Sequence, residues 1–409
     1  MTETTVGERV AAFRRQRGLS QRELAADMKR SESWVSQVER DIQPIERIGV
    51  LRDLAAALRV SVHDLRPEAL PEPDTATTEP AINDLDEVRL TLSGHPTLAR
   101  LFSPATSAIG TAGIEDLAGR VDEVWDLAHA SRFADLSTAL TELVPQLEDA
   151  VRTTSQDDER RRLHAMRARA YQAVAVAFAR QDEPDAAWVA ADRAITAAEL
   201  AGDPLDVIAG HFRLAHAFIR LRRFDQAEHV VTSAIDVLRP SAEAKDAAPE
   251  LLSLYGAMHL VNALVSGTEG DRSAARAHLT HAGAIADRIG EDRNDYNTEF
   301  GPTNVLLHTV SVDVDLGDAG EALDVAARVD PSGLSPERQA RFFIDVARAH
   351  AQRRHVGEAT AALLKADRLA PEHTRTHQAA RQCLDDLLAQ AGRRPPVDLT
   401  DLAQRAGVR

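Results

Sequence analysis

The stretch Val6–Arg40, VGERVAAFRRQRGLSQRELAADMKRSESWVSQVER, carries its own punctuation. From Val6 to Arg17 the apolar residues Val6, Val10 and Phe13 share one helical face, and Gly18 follows where a helix end favours a left-handed residue. Ser20 then opens a second helix with Glu23 three positions on, a spacing at which hydroxyl and carboxylate satisfy two orphan backbone N–H groups reciprocally. Leu24, Ala25 and Met28 give that helix its inward face. After a turn at Lys29 and Arg30, Ser31 caps a third helix, Glu32 to Arg40, which buries Val35 and Val38 and leaves Glu32, Ser33, Ser36 and Gln37 outward. A fourth helix from about Ile45 to Leu58 closes the core with Leu51, Leu54, Ala55 and Leu58, and a short fifth covers Val62 to Leu65.

Two helices joined by a tight turn, the second with a polar outer face, make a helix-turn-helix. Over about 60 residues the chain resembles the phage-repressor and Cro type of that motif, the XRE family: Gly18-Leu19-Ser20-Gln21, Leu24-Ala25, Val35-Ser36, Glu39-Arg40 and Leu54-Ala55 all fall at the family's spacing. The resemblance implies a five-helix DNA-binding domain in which Arg14 and Glu39 form a buried pair. It places Gln21 at the start of the helix that touches the DNA backbone, and Glu32, Ser33 and Gln37, flanked by Ser31 and Ser36, on the helix that faces base edges. Gln can bond adenine bidentately and Glu can accept from cytosine N4, so the residue types suit that task. Arg30, Arg40 and Arg47 are phosphate candidates, and Trp34 either packs against backbone sugar or shields the core. Asp41 stands where the family has glycine, and the loop to the fourth helix reads one residue longer; Asp tolerates the left-handed conformation better than most residues.

Outward from this domain, the segment from Pro67 to Asp84 is rich in Pro, Thr and acid and cannot pack a core, so it reads as a linker. The expected division is therefore 1–66 for the DNA-binding domain, 67–90 for the linker, 91–393 for a helical-repeat domain and 394–409 for a tail. The chain of 409 residues has a net charge of −16, unevenly placed. Residues 1–70 hold 12 basic and 11 acidic side chains, and the rest of the chain 36 basic against 53 acidic. A DNA module needs only a local cationic face, whereas the acidic body predicts an acidic groove that prefers cationic or neutral ligands. A single cysteine, Cys383, excludes a disulfide framework and a multi-thiolate metal site and reads as a small core hydrophobe. Neither a signal-peptide run nor a long uncharged apolar stretch is read, so the expected location is cytoplasmic, away from membranes.

Beyond the linker, apolar residues recur at helical spacing to about Leu388 with almost no alternating pattern, so the fold class is all-α. Within RFFIDVARAHAQRRHVGEATAALLKADRLAP, the residues Phe343, Val346, Ala347, His350, Ala359, Leu363, Ala366 and Pro371 occupy tetratricopeptide positions, and His211, Leu214, Ala215, Phe218, Ala227, Val231 and Ala234 form an earlier unit. Weaker units fit Tyr171–Ala194, His259–Ala282 and Leu306–Val329, with start-to-start distances near 40, 48, 47 and 37 residues. The pattern resembles the tetratricopeptide superfamily, which implies a solenoid with a concave face. Leu117–Val151 reads as a capping pair before the array, and a helix from about Thr374 to Ala391 as a cap after it; Pro395-Pro396 precedes a short tail helix.

An XRE domain fused to such repeats resembles the peptide-sensing regulators of Gram-positive bacteria, and still more the actinobacterial XRE regulators with helical C-terminal domains. In the peptide-sensing group, asparagines on inner helices bind the ligand backbone. Here Arg213, Asn262 and Asn304 sit on inner helices, and the polar, aromatic stretch Asn294–Asn304 adds Tyr296, Phe300 and Thr303 as effector candidates. The competing reading is a connector whose Asn and Thr side chains satisfy helix N-termini. No catalytic constellation, cofactor motif or metal set is found: His211 with His216, and His278 with His281, lack a third ligand at metal spacing. The expected function is a DNA-binding, homodimeric transcription regulator of a double-stranded operator, controlled by a small peptide or metabolite. The alternatives are a DNA-binding adaptor whose repeats hold only protein partners and, more remotely, an enzyme with an appended regulatory domain.

Overall fold

A computed structural model describes residues 5–17, 19–28, 32–40, 54–55, 57–58, 65, 85–93, 111–181, 183–392 and 395–408. Among them lie nineteen α-helices and one short 3-10 turn, and an isolated bridge between Arg293 and Phe300 is the sole β pairing. The chain divides into two compact units, residues 1–80 and 81–409.

The first unit holds α1 (Val6–Gln16), α2 (Gln21–Asp27) and α3 (Glu32–Glu39). Val10, Leu24, Ala25, Val35, Val38, Leu54, Ala55, Leu58 and Leu65 form its core, all buried, with Val6, Phe13, Met28 and Trp34 packed against them. Ser20 caps α2 by accepting from the Glu23 N–H while the Glu23 carboxylate accepts from the Ser20 N–H, the reciprocal pair expected from the spacing. Leu54, Ala55, Ala57, Leu58 and Leu65 are helical. The rest of the fourth and fifth helices, Gly18 and Asp41 lie outside the described residues.

The second unit runs through α4 (Asp86–Ser93), α5 (Thr111–His129), α6 (Phe133–Thr153), α7 (Asp157–Arg180), α8 (Pro184–Ala201), α9 (Pro204–Arg220), α10 (Phe224–Ala242), α11 (Pro249–Glu269) and α12 (Arg272–Ile289). It continues with α13 (Pro302–Asp315), α14 (Ala319–Ala326), α15 (Pro336–Gln352), α16 (Val356–Leu369), α17 (Pro371–Thr376), α18 (Gln378–Ala391) and α19 (Val397–Arg405). Proline at the first helical position opens α8, α9, α11, α13, α15 and α17, where the missing N–H costs no hydrogen bond. Asp203, Asp271 and Ser335 cap α9, α12 and α15 with their side chains. Five consecutive pairs, α7/α8 to α15/α16, correspond to the five repeat units read from the sequence, and α5/α6 to the capping pair. The first helices of the pairs, α7, α9, α11, α13 and α15, also pack on one another in order, whereas the second helices lie outside them, which is the solenoid arrangement.

Small side chains set the spacing. The buried face of α8 is alanine throughout: Ala186, Ala187, Ala190, Ala191, Ala194, Ala197 and Ala198. A Cβ on Gly210 of α9 would lie 2.6 Å from Ile195 Cγ1 of α8, so this close crossing needs glycine. The coil closes on itself: the Phe133 N–H donates to the Glu372 carboxylate at 2.9 Å, and Arg180 of α7 pairs with Glu337 of α15 at 3.0 Å.

Three expectations change. Residues 85–90, assigned to the linker, lead into α4: Leu85 just before the helix and Val88 and Leu92 within it are buried in the first core of the repeat unit, while Arg89 pairs with Glu183 and Asp185 at the start of α8. The 394–409 tail is integral, because α19 buries Leu399, Leu402 and Ala403 beside Cys383, Leu384 and Leu387. The terminal helix read from Thr374 is broken at extended His377 into α17 and α18. Moreover, α11 is long and apolar enough to cross a membrane by length and composition, a stretch not read from the sequence. With 83% of that window buried inside the unit, it is the central core helix.

Candidate nucleic-acid interface and central cavity

Arg14 and Glu39 hold the helix-turn-helix together. The Arg14 guanidinium donates to both Glu39 oxygens, at 2.5 and 2.9 Å, and to the Leu19 carbonyl at 2.7 Å, tying α1 to the α1–α2 turn and to the end of α3. Burial pushes the Glu39 carboxyl up, but the hydrogen bonds from Arg14 and Gln21 outweigh it and hold the group below its ordinary value. Gln21, expected at the DNA backbone, donates its amide to Glu39 at 2.7 Å. Its side chain is thereby oriented by the same pair that fixes α3.

The outer face of α3 carries Glu32 and Gln37 exposed and Ser36 half-buried, with Arg40 exposed just after the helix. Trp34 is half-buried and packs against the core. Arg30, Ser31 and Arg47, and the side chain of Ser33, lie outside the described residues. Two helices joined by a turn, with a polar face on the second and apolar residues behind it, give the first unit a helix-turn-helix arrangement.

The comparisons agree for this unit. Residues 5–69 match the family model described as a helix-turn-helix domain. The HTH-type transcriptional regulator SinR of Bacillus subtilis (strain 168) is 36% identical over 63 residues, and SinR of Bacillus licheniformis 37% identical over 60. Each alignment covers 15% of this chain, and the chain spans 57% and 54% of the lengths of those relatives. A solved structure of Bacillus thuringiensis PlcR in complex with the peptide PapR7 and DNA is similar at 13% identity and a TM-score of 0.31, over 86% of this chain and 98% of that one. A likeness of that size carries no weight beside the helices themselves.

In the repeat unit the inner helices converge on a cavity of about 520 Å³. Its charged wall is built in stripes: Arg213, His216 and Arg220 on α9, and Glu337, Arg338, Arg341, Asp345 and Arg348 on α15, with Arg180 from α7 and Asp315 from α13. Phe212, Ile219, Phe224 and Leu264 supply apolar surface, and His377 with Gln378 brings the start of α18 to the rim. Arginine therefore outnumbers carboxylate, and the expectation of an acidic groove is overturned. The physical reason is segregation: acidic residues such as Asp192, Glu199, Asp225, Glu228, Asp236 and Glu358 lie exposed on the outer helices, while the arginines face inward.

The three lining carboxylates are all paired. Glu337 binds Arg180, and Asp315 and Asp345 bind Arg348 at 2.6 and 2.9 Å. Arg338 reaches Glu299 at 2.7 Å. Arg213 is buried, packs over the rings of Trp125 and Phe212, and among the described residues donates to the carbonyls of Tyr296 and Asn297, at 3.0 and 2.7 Å. Burial, reinforced by Arg180 and Arg338, pulls its guanidinium down to about 9. His216 and His377 are kept neutral, first by burial and then by the surrounding arginines.

Of the six effector candidates, Arg213 alone lines this cavity. Phe300 is fully buried in the second core against Gly256, and Asn262 and Asn304 are buried with amide oxygens that find no partner among the described residues. Tyr296 is half-buried and left-handed, with φ of 50°. Thr303 donates its N–H to Asp292 at 2.9 Å. The Asn294–Asn304 segment is thus pinned to the cavity wall by Arg213 and Arg338. His259 joins the His278/His281 pair, its Nδ1 3.1 Å from His278 Nδ1. Asp313, Asp318 and Glu321 cluster closely enough for a cation, yet Arg272 and Arg276 already pair with them.

Proposed function

We propose that this chain is a sequence-specific DNA-binding transcription regulator, acting as a cytoplasmic homodimer, whose repeat unit takes a small peptide or metabolite as effector. The observation that carries the reading is the helix-turn-helix with its exposed Glu32 and Gln37 face, joined in one chain to a solenoid whose inner helices line a cavity. In this scheme Glu32, Ser33, Ser36 and Gln37, with Ser31 beside them in the chain, meet the DNA at base edges, Gln21 touches the backbone, and Arg30, Arg40 and Arg47 meet phosphates, with Trp34 behind them.

Dimerisation follows from reach, since one such domain reads only about half a site and a two-fold operator supplies the remaining affinity. Exposed apolar side chains on the outer helices, Trp188, Val189 and Leu200 on α8 and Val237 on α10, suit a protein contact. Effector binding shifts DNA affinity to the extent that it favours one arrangement of the body over another. Arg213 belongs to the effector site in this reading, with Tyr296, Phe300, Thr303 and Asn304 on the segment it holds and Asn262 on the neighbouring α11.

The test begins with selection of bound duplexes from a random pool by the full-length protein. Operator affinity is then titrated with fractions of host extract for wild type, Asn304→Ala and Tyr296→Ala. A fraction that shifts wild-type affinity about tenfold and acts less on the variants supports the scheme. No selected consensus defeats the regulator reading, and no active fraction transfers the repeats to protein partners alone.

A further inference from the structure

The central cavity is an open-sided pocket with an excess of one charge. Among the described residues its lining arginines exceed its lining carboxylates, and Arg180 and Arg348 pair with each of those carboxylates. Arg341 makes no ion pair or hydrogen bond among the described residues. Arg213 is more than nine-tenths buried, has no carboxylate partner among the described residues, and its Nε–H is buried without an acceptor. Both ring nitrogens of buried His377 also lack partners there, and α18 begins beside it without a side-chain cap. A buried guanidinium is costly to desolvate unless an anion answers it, so a wall of this kind is under-compensated as it stands.

Resting on the effector reading above, we propose that this cavity binds a small organic polyanion, with at least two carboxylate or phosphate groups on a scaffold that has an apolar face, and that Arg213 and Arg341 are its charge-pairing residues. Guanidinium presents paired donors that match either acid group, so both chemistries fit. Phe212, Ile219 and Leu264 meet the scaffold. At about 520 Å³ the space suits a compact metabolite. Arg213 also holds the Tyr296 and Asn297 carbonyls, so an anion on its free edge acts directly on the Asn294–Asn304 segment.

The experiment uses the full-length protein without DNA. Citrate, fructose 1,6-bisphosphate and adenosine diphosphate are titrated at low ionic strength, with spermidine as the cationic control, and read by calorimetry and thermal melting. At least one anion should bind saturably and raise the melting temperature, with affinity falling as salt rises. The carboxylate and phosphate arms separate the two chemistries. Arg341→Gln should weaken that binding about tenfold or more, and Arg341→Lys should restore part of it. Arg341 has no ion pair or hydrogen bond to lose among the described residues, so its variants are expected to melt close to wild type without ligand. Arg213→Gln should abolish binding, with circular dichroism checking its fold.

Absence of saturable binding by all three anions overturns the proposal. So does equal binding by wild type and Arg341→Gln, or stabilisation by spermidine in place of the anions. Anion binding that leaves operator affinity unchanged upholds the site while defeating ligand control of DNA binding.

Discussion

Gly256→Ala tests the packing that seats the Asn294–Asn304 segment. A Cβ built on Gly256 of α11 would lie 2.0 Å from Phe300 Cζ and 2.5 Å from both Cε atoms, where carbon contacts settle near ~3.5–4.0 Å. The ring is fully buried, so it has to retreat by roughly 1.5 Å, which strains the Arg293–Phe300 bridge beside it. Overpacking of this kind costs about 1–3 kcal/mol, and more where the ring is expelled. Against this, alanine gains about 1 kcal/mol of helix propensity over glycine. The expected net loss is therefore about 0–2 kcal/mol, and more where the ring is expelled, read as a lowered urea midpoint by circular dichroism. The sharper expectation is a change of sign. Phe300→Ala alone should cost about 3–5 kcal/mol, and in that background Gly256→Ala should stabilise by up to about 1 kcal/mol, because the clash is gone and the propensity gain remains. An equal penalty for Gly256→Ala in both backgrounds would refute the claim that the phenyl ring excludes a side chain there.

Arg14→Ala should cost the first unit about 3–5 kcal/mol, since it leaves the Glu39 carboxylate buried without its cation; Arg14→Lys should recover little, as ammonium cannot span both oxygens. Limited proteolysis should then cut within residues 1–80 while the repeat unit survives, and a wild-type cleavage pattern would count against the pair. Acid should weaken the repeat unit. Burial holds His259, His308 and His373 neutral, each pulled down to about 3, so below pH 6.5 the unfolded chain takes up protons that the folded chain refuses. Burial pushes Asp206 the other way, up to about 6, so it returns one proton to the folded state between about pH 6 and 4. Over these four groups the balance is near two protons, roughly 2–3 kcal/mol per pH unit, and the buried His216 and His377 act in the same direction. The urea midpoint should fall steadily from pH 6.5 towards 4, and a flat profile would show that these histidines titrate in the fold.

Sequence reading reached the architecture through features that act locally. Ser20 with Glu23, the apolar faces of the first three helices and the Arg14–Glu39 pair act within some 25 residues, and the structure has each of them. Repeats were also readable, because every inner helix needs the same small and apolar residues against its neighbours. The Leu85–Val88–Leu92 stripe of α4 was hidden by the Pro-rich segment before it, and the tail helix by Pro395-Pro396; both depend on partners far along the chain. The cavity was missed for a different reason. Its signal was present as stripes at helical spacing, Arg213-His216-Arg220 and Arg338-Arg341-Asp345-Arg348, but net charge summed over the unit hid an inward-facing cationic surface. Asn262 and Asn304 looked like ligand groups by type, and only packing placed them in the interior.

Sequence-specific DNA reading by α3 is the central claim, and fluorescence anisotropy on the selected operator tests it most directly. Wild type, Gln37→Ala and a scrambled duplex of equal length are compared over a series of salt concentrations. Gln37→Ala should lose roughly 1–3 kcal/mol on the operator, nothing on the scrambled duplex, and should keep the wild-type salt slope. If Gln37→Ala binds the operator as tightly as wild type does, or weakens both duplexes equally, α3 does not read sequence and the account fails.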